Sequence, residues 1–432
     1  MLKMINELSV LFGTMLIFMV AGVPVFFCMA IAEIAYIAAF WPKVPLMVVA
    51  QGFVLGLNNY HFAAIVFFFL AGEIMNSGGI TKRLLRFTRA CFGHIHGGLS
   101  HVNILASMVF AGVSGSSMAD ASAIGAIMVP AMKREGYSGA YAAAVTAASA
   151  TIGPVIPPSI PLVLFGLFAM TPISRLFIAG VIPGILMGVF LLITSYLISR
   201  ARKYPATAWV GFNELAKSML GSLVALIMPL IIIVGLVGGI ATVTEVGAIA
   251  AAYALIVSML IYRELNIGKL WQIFCKVGID AAKILIIVSI AGLFIWIIGN
   301  MGVARVLSTW IGSITSDPTL VLALMAVVLL IGGAVMDPVT LFAVFVPIMV
   351  PTAAAVGINY THMGVVAVLS TMLGLITPPV GMLVFLTSAQ AEAPAHHVFK
   401  ELIPFLGALF LLLGALIIFP QLSLWLPELL LD

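Results

Sequence analysis

Three serines and an aspartate crowd into "GVSGSSMAD" (residues 112–120): Ser114, Ser116, Ser117 and Asp120. A second stretch, "GGAVMDPVT" (332–340), sets Asp337 and Thr340 beside glycines. Two more, "AASATIGPVIPPSIPLVLFG" (147–166) and "STMLGLITPPVGMLVF" (370–385), put Ser149, Thr151 and Thr377 next to Pro-Pro pairs. Proline breaks a helix, and the break frees carbonyls at one half-helix end and N–H groups at the other. Free carbonyls and hydroxyls can coordinate Na+, and free N–H groups at a helix N-terminus can hold a carboxylate. The chemistry available to these residues is therefore the binding of small cations and of an organic anion.

The elements that must position them lie in a chain nearly as apolar as lipid. Of 432 residues, 63% are hydrophobic and 8% charged, against roughly 25% charged in an average soluble domain; the mean hydropathy is +1.26. This is an all-α polytopic membrane protein, with room for on the order of ten crossings at about 20 residues each. In hydrocarbon no water satisfies an exposed backbone, so a broken helix is tolerated only where protein buries it or where it lines a site. The net charge of +4 sits in a few loops, with no basic face interleaved with aromatics, and no nucleic-acid binding is expected. Cys28, Cys91 and Cys275 lack metal-ligand or CxxC spacing and read as free thiols. The N-terminal apolar run has no convincing cleavage site and reads as a retained span.

Basic clusters at residues 82–89, at Lys133 and Arg134, at 200–203, at Lys217 and at 263–276 mark the cytoplasmic side. Between the first two clusters the apolar stretch is too short for two full spans, which predicts a re-entrant helical hairpin near 98–132 with its tip at 112–120. A broken helix near 140–170 then crosses outward, and 177–198 returns. In the second half, 220–240, 246–262 and 279–300 cross, followed by a hairpin near 319–355 and a broken helix near 361–388. Amphipathic spacing at Ile267, Leu270, Trp271 and Phe274, and again at Ile80, Leu84, Phe87 and Cys91, predicts helices lying along the cytoplasmic interface. Residues 8–40 read either as one long helix or as two broken at Gly22-Val23-Pro24; repeat symmetry favours two.

Aligned with itself at an offset of 221, the chain superimposes Ser149, Gly153, Pro157, Pro158, Leu162 and Val163 on Ser370, Gly374, Pro378, Pro379, Leu383 and Val384. The halves 1–210 and 211–432 thus read as two repeats, inverted by the charge count. Inverted repeats with helices broken at matching places point to a secondary transporter's binding site. Asp120 and Asp337, one near each tip, read either as helix caps or as functional carboxylates at membrane depth.

At these residues the sequence resembles the large membrane subunit of the tripartite ATP-independent periplasmic (TRAP) transporters, the DctM type. The resemblance rests on "EIMNSGGITKRLLRF", on "GHIHGGLSHVNILASMVFAGVSGSSMADASAIGAIMVPAMKREGY", on both Pro-Pro stretches and on "GAVMDPVTLFAVFVPIMVP", and it covers essentially the whole chain. It implies an inverted-repeat, elevator-type transporter in the bacterial inner membrane, driven by Na+ at two or more sites. It also implies a small four-helix membrane subunit, here as a separate chain because no extra N-terminal helices are present, and a periplasmic solute-binding protein. The implied substrates are organic acids such as sialic acid and C4-dicarboxylates. Carried onto this chain, one Na+ site falls to Ser114, Ser116, Ser117, Gly153, Val155 and Pro157, and the other to Gly333, Met336, Asp337, Gly374, Thr377 and Pro378. The substrate would lie between the tips, with Ser114, Ser116, Ser117, Asp120, Thr151, Asp337 and Thr340 as its expected contacts. Neither hairpin tip nor either break carries Arg or Lys, leaving Arg175, Lys283 and Arg305 as basic residues near spans.

Two rivals compete. Gly112-Val113-Ser114-Gly115 is a G-x-S-G tetrapeptide, the nucleophile signature of rhomboid-type intramembrane proteases, which need a nearby His base; of seven histidines only His61 and His101 begin apolar segments. A passive channel or scaffold subunit would share the inverted repeats but lack coupling. His94 and His96 read as loop residues, Glu73 as a partner for the basic helix that follows it, Glu245 as an outer-turn residue and Glu33 as a contact for the small subunit.

Overall fold

The structure, a computed structural model, describes residues 2–45, 47–58, 60–206, 209–303, 306 and 315–431, and these hold nineteen α-helices and no strand. The N-terminal run is two helices, α1 (Leu2–Val20) and α2 (Val25–Phe40), parted where Gly22 takes φ +80° and Pro24 caps α2. Next come α3 (Met47–Leu57) and α4 (Phe62–Ser77), bent by 54°. The amphipathic α5 (Ile80–Phe92) buries Ile80, Leu84 and Leu85. A hairpin of α6 (Gly98–Ser114) and α7 (Ser117–Arg134) leads to a broken helix, α8 (Gly139–Ala150) and α9 (Ile160–Phe168), and then to α10 (Ile173–Ala201). The second half runs α11 (Gly211–Val237), α12 (Val243–Ile256) with a π-turn at Val257–Ile261, and α13 (Ile267–Met301). A second hairpin, α14 (Pro318–Gly333) and α15 (Pro338–Ala355), precedes a second broken helix, α16 (Tyr360–Gly374) and α17 (Met382–Ala391), and the chain ends in α18 (Ala395–Ile418) and α19 (Gln421–Leu431). Arg305 lies outside the described residues.

At the offset of 221, α7 falls on α15 residue for residue, and α6, α8, α9 and α10 fall on α14, α16, α17 and α18 to within a few residues at nearly every end. The same offset lays α3 and α4 end to end along α13, which is one unbroken helix of 35 residues. The stretch from Ile267 is therefore the first third of a spanning helix and not a separate interfacial one. The reason is local: the first repeat has "NNYH" at 58–61 where the second has the helix-tolerant "IDAA" at 279–282. At 1.5 Å per residue α13 is about 52 Å long, so part of it must project beyond a hydrocarbon layer of about 30 Å. Among the described residues six helices are long and apolar enough to cross alone, the hairpin arm α15 among them, and α3 with α4 makes a seventh. That is fewer than the ten the length allows, because the hairpin arms α6 and α14 and the halves of both broken helices are each too short to cross alone.

Two layers result. In one wall α3 meets α13 through glycines: a Cβ on Gly56 would lie 2.5 Å from the Ser289 carbonyl, and the Ser289 hydroxyl donates to the Phe53 carbonyl at 2.7 Å. Small residues allow this approach where no hydrophobic effect drives association between helices in lipid. The other layer holds the hairpins and the broken helices, which run antiparallel. Gly139, at the start of α8, abuts Ala391 at the end of α17, and Gly364, near the start of α16, abuts Phe165 near the end of α9. Every residue of α8 from Tyr141 to Ala150 is buried, and it is tied to α6 by Asn103 Nδ2 donating to Thr146 Oγ1 at 2.7 Å and Ser107 Oγ to Ser149 Oγ at 2.9 Å. Such interhelical bonds contribute about 0.6–2 kcal/mol each.

The charges gather at one end, as Arg83–Glu264, Arg86–Glu214, Arg89–Glu135 and Arg202–Glu401 pairs at 2.6 to 2.9 Å. Glu73 pairs with Lys276 of α13 at 2.7 Å and not with α5. Glu33 is fully buried within this chain, so it offers no surface to a small subunit.

Candidate functional site at the two hairpin tips

The first tip is a two-residue turn. Gly115 takes φ +60°, a left-handed conformation that favours glycine, and Ser116 caps α7. The tip seats on the first break: the Ile160 N–H donates to the Gly115 carbonyl at 3.4 Å, and a Cβ on Gly115 would run into the Pro158 carbonyl. Within the break, Ser159 caps α9 by accepting from the Leu162 N–H at 3.1 Å, while its hydroxyl donates to the Pro154 carbonyl. Gly153, Val155 and Pro157 are all buried.

Asp120 stands one turn into α7, fully buried. One carboxylate oxygen accepts from the Ser114 hydroxyl. The other has no protein partner and faces Gly153, where any Cβ would collide with it. An orphaned buried carboxylate oxygen is costly. Here it faces Gly153 at the first break while its partner oxygen is held by Ser114, and an anionic oxygen left in this way is a hard ligand suited to a small cation. Of the other expected ligands in this half, the Val155 carbonyl points instead at Gly180 of α10, and the Pro157 carbonyl looks toward Gly112 of α6.

At the second tip Asp337 caps α15. One oxygen accepts from the Val339 and Thr340 N–H groups at 3.0 and 3.1 Å, and the other from the Thr340 hydroxyl at 2.6 Å. Hairpin and break meet backbone to backbone. A Cβ on Gly333 would lie 2.7 Å from the Thr371 carbonyl, and one on Gly374 would lie 2.5 Å from that of Leu330. Thr377 donates to the Leu373 carbonyl at 2.7 Å, Met336 is buried, and Pro378 and Pro379 are exposed.

The two aspartates are not equivalent. At the repeat offset Asp337 falls on Ser116, the other cap, and Asp120 falls on Leu341. A cavity of about 540 Å³ separates the tips from the α4 and α13 wall, and Ser116 and Asp337 border it. Ser114, Ser117, Asp120, Thr151 and Thr340 do not. These five were expected as substrate contacts. All five are buried behind the tips, Thr151 bonded back to the Ala148 carbonyl at 2.6 Å and Thr340 held by Asp337. Sequence reasoning did not place the opposite wall against the tips, where Glu73 of α4 and Lys276, Asp280 and Lys283 of α13 face the same space; the 3–4 and 7-residue spacing of the three α13 residues was the available signal.

No His, Cys, Asp or Glu cluster able to hold a metal occurs among the described residues, and His94 packs edge-on against Trp209. Ser114 is bonded to a carboxylate, and His101 bonds the Gly97 carbonyl. That places the imidazole about 13 residues, or some 20 Å, along α6 from the serine, too far to act as its base.

Comparison with known proteins accords with this geometry. The family model for the tripartite ATP-independent periplasmic transporter, DctM component, matches residues 12–422. The sialic acid TRAP transporter large permease protein SiaM of Vibrio cholerae is 36% identical over 95% of this chain and 96% of that protein. The C4-dicarboxylate TRAP transporter large permease protein DctM of Pseudomonas aeruginosa is 35% identical over 86% and 87%. Among solved structures, the YdaH transporter of Alcanivorax borkumensis superimposes with a TM-score of 0.64 over 88% of both chains at 14% identity, a likeness of fold. Two repeated halves, two hairpins seated on two broken helices, and this breadth of sequence identity make one conclusion: the chain is a multi-pass bacterial inner-membrane protein belonging to the TRAP transporter family, as its DctM-type large permease.

Proposed function

We propose that this chain is the transport subunit of a Na+-coupled importer of an organic acid. A periplasmic binding protein delivers the substrate, and a separate small membrane subunit braces the wall helices. The observation that carries the Na+ assignment is the orphaned Asp120 oxygen, buried between Ser114 and Gly153. A cation there would supply the missing partner and hold the first tip on its break. The second site would use Gly333, Met336, Gly374 and Thr377, mainly through carbonyls, where hairpin and break already touch. Asp120 then belongs to the cation and not to the substrate. The substrate's carboxylate would lie in the cavity against Ser116 and the N-termini of α7 and α15, which favour negative charge. An organic-acid substrate is supported by the relatives named for sialic acid and for C4-dicarboxylates.

An elevator movement would carry the hairpin layer past the α4 and α13 wall. Its support is the contrast between the two crevices along that wall. One is the cavity lined by lysines, and the other is an apolar cleft of about 260 Å³ lined by residues such as Leu55, Phe62, Leu167 and Val288. The test is uptake of radiolabelled sialic acid and succinate into proteoliposomes holding this chain and the small subunit. It is run with and without the binding protein and with an inward Na+ or K+ gradient. Uptake that needs the binding protein and Na+ supports the reading; uptake of neither probe, or uptake indifferent to Na+, refutes it.

A further inference from the structure

Lysines occur at 269, 276 and 283, each seven residues from the next along α13. Seven residues are two helical turns, so all three fall on one face about 10 Å apart. The structure shows what that face looks at. Lys283 and Lys276 border the cavity beneath the hairpin tips, and Lys276 and Lys269 border a second cavity of about 370 Å³. The two cavities share Glu73 and Lys276, so a continuous series of lysines leads from the tips to the basic end of the protein. All three side chains are exposed, as a charged residue on a membrane helix must be toward water and not toward lipid.

Each ammonium is held by a replaceable partner: Lys283 by Asp280 at 2.9 Å, Lys276 by Glu73 at 2.7 Å, and Lys269 by the Glu264 carbonyl at 3.3 Å. Solvent-exposed pairs of this kind contribute little, about 0–1 kcal/mol, so an incoming carboxylate exchanges with Asp280 or Glu73 at small cost. The other repeat provides an internal control. Its matching positions are Val48, Leu55 and Phe62, and Leu55 and Phe62 line the apolar cleft on the opposite side. The lysines are thus not a remnant of duplication.

Resting on the proposed import of an organic anion, we infer that Lys269, Lys276 and Lys283 form an anion ladder on the stationary wall, which takes the substrate's carboxylate from the hairpin tips and passes it to the cytoplasm. Lys283 is its first rung and Asp280 the competitor that sets its strength. Lysines present only as topology signals of the positive-inside kind predict no kinetic consequence.

The test uses proteoliposomes of this chain with its small subunit and binding protein, preloaded with graded sialic acid or succinate, whichever the wild type takes up. It reads the lumenal concentration that gives half-maximal exchange. Lys283→Gln raises that concentration about threefold to tenfold, Asp280→Asn lowers it by a similar factor, and Lys283→Arg restores it; the external concentration of loaded binding protein for half-maximal uptake stays unchanged. The opposite signs are what a merely structural pair does not produce. Effects of the same sign, or wild-type values in both Lys283→Gln and Asp280→Asn at normal protein levels, overturn the ladder. Absence of wild-type uptake with either probe refutes the organic-acid reading itself and is told apart by that control.

Discussion

Replacing Gly374 with alanine tests whether the contact between the second hairpin and the second break sets a cation site. The added Cβ would lie 2.5 Å from the Leu330 carbonyl oxygen and 2.7 and 2.8 Å from the Gly333 carbonyl carbon and Cα. Ordinary contact begins at 3.4 Å, so the nearest atom is about 0.9 Å too close. All three neighbours are backbone and cannot rotate away, which forces hairpin and break apart by most of that distance. Overpacking of this kind costs about 1–3 kcal/mol, and a binding constellation must be held within about 0.5 Å to work. The expected result is a rise of about tenfold or more in the Na+ concentration for half-maximal uptake, with thermal stability of the purified protein reduced. Gly407→Ala, in α18 with nothing within 4 Å of its Cβ, is the matched control and stays at the wild-type value. Unaltered Na+ dependence of uptake in Gly374→Ala, at normal protein levels, would mean that this contact sets no cation site.

The remaining predictions separate the roles assigned to individual residues. Asp120→Asn keeps the packing but removes the charge, and is expected to raise the half-saturating Na+ concentration about tenfold or more without lowering the melting temperature; an unchanged Na+ curve contradicts the assignment. Asp337→Ala removes the α15 cap and costs about 1 kcal/mol of stability, read by thermal unfolding in detergent. Gly115→Ala, at φ +60° and against Pro158, unseats the first tip and lowers uptake more than stability. Glu33→Gln is expected to leave co-purification with the small subunit intact and to match or exceed wild-type stability, because both carboxylate oxygens are buried without partners and an unpaired buried charge is expensive; loss of the partner in a pull-down would contradict its burial.

Much of this layout was legible because local signals agreed with the global repeat. Prolines, glycines and N-cap residues bound the hairpins and broken helices, and those short-range rules place the elements within a few residues. The shape of the α3–α4 and α13 pair was harder to read, since an amphipathic stretch followed by an apolar one reads the same whether the helix bends or continues. Only the contrast of "NNYH" with "IDAA" records the difference. Asp120 and Asp337 both lie near a tip, but the offset that aligns the Pro-Pro breaks sets Asp120 against Leu341 and Asp337 against Ser116, so their unequal roles were legible in the sequence. Which side of a tip a hydroxyl occupies, as for Thr151 and Thr340, depends on tertiary packing that spacing does not encode. The facing of Lys276 and Lys283 into the cavity likewise came from the fold, although their seven-residue interval was present in the sequence.

Radiolabelled Na+ entry, measured together with substrate uptake in the same proteoliposomes, tests the cation assignment most directly. In wild-type vesicles Na+ is expected to enter only when substrate and binding protein are both present, and Asp120→Asn is expected to abolish this coupled entry at low Na+. Substrate accumulation without Na+ entry, or driven equally well by a proton gradient alone, would contradict it.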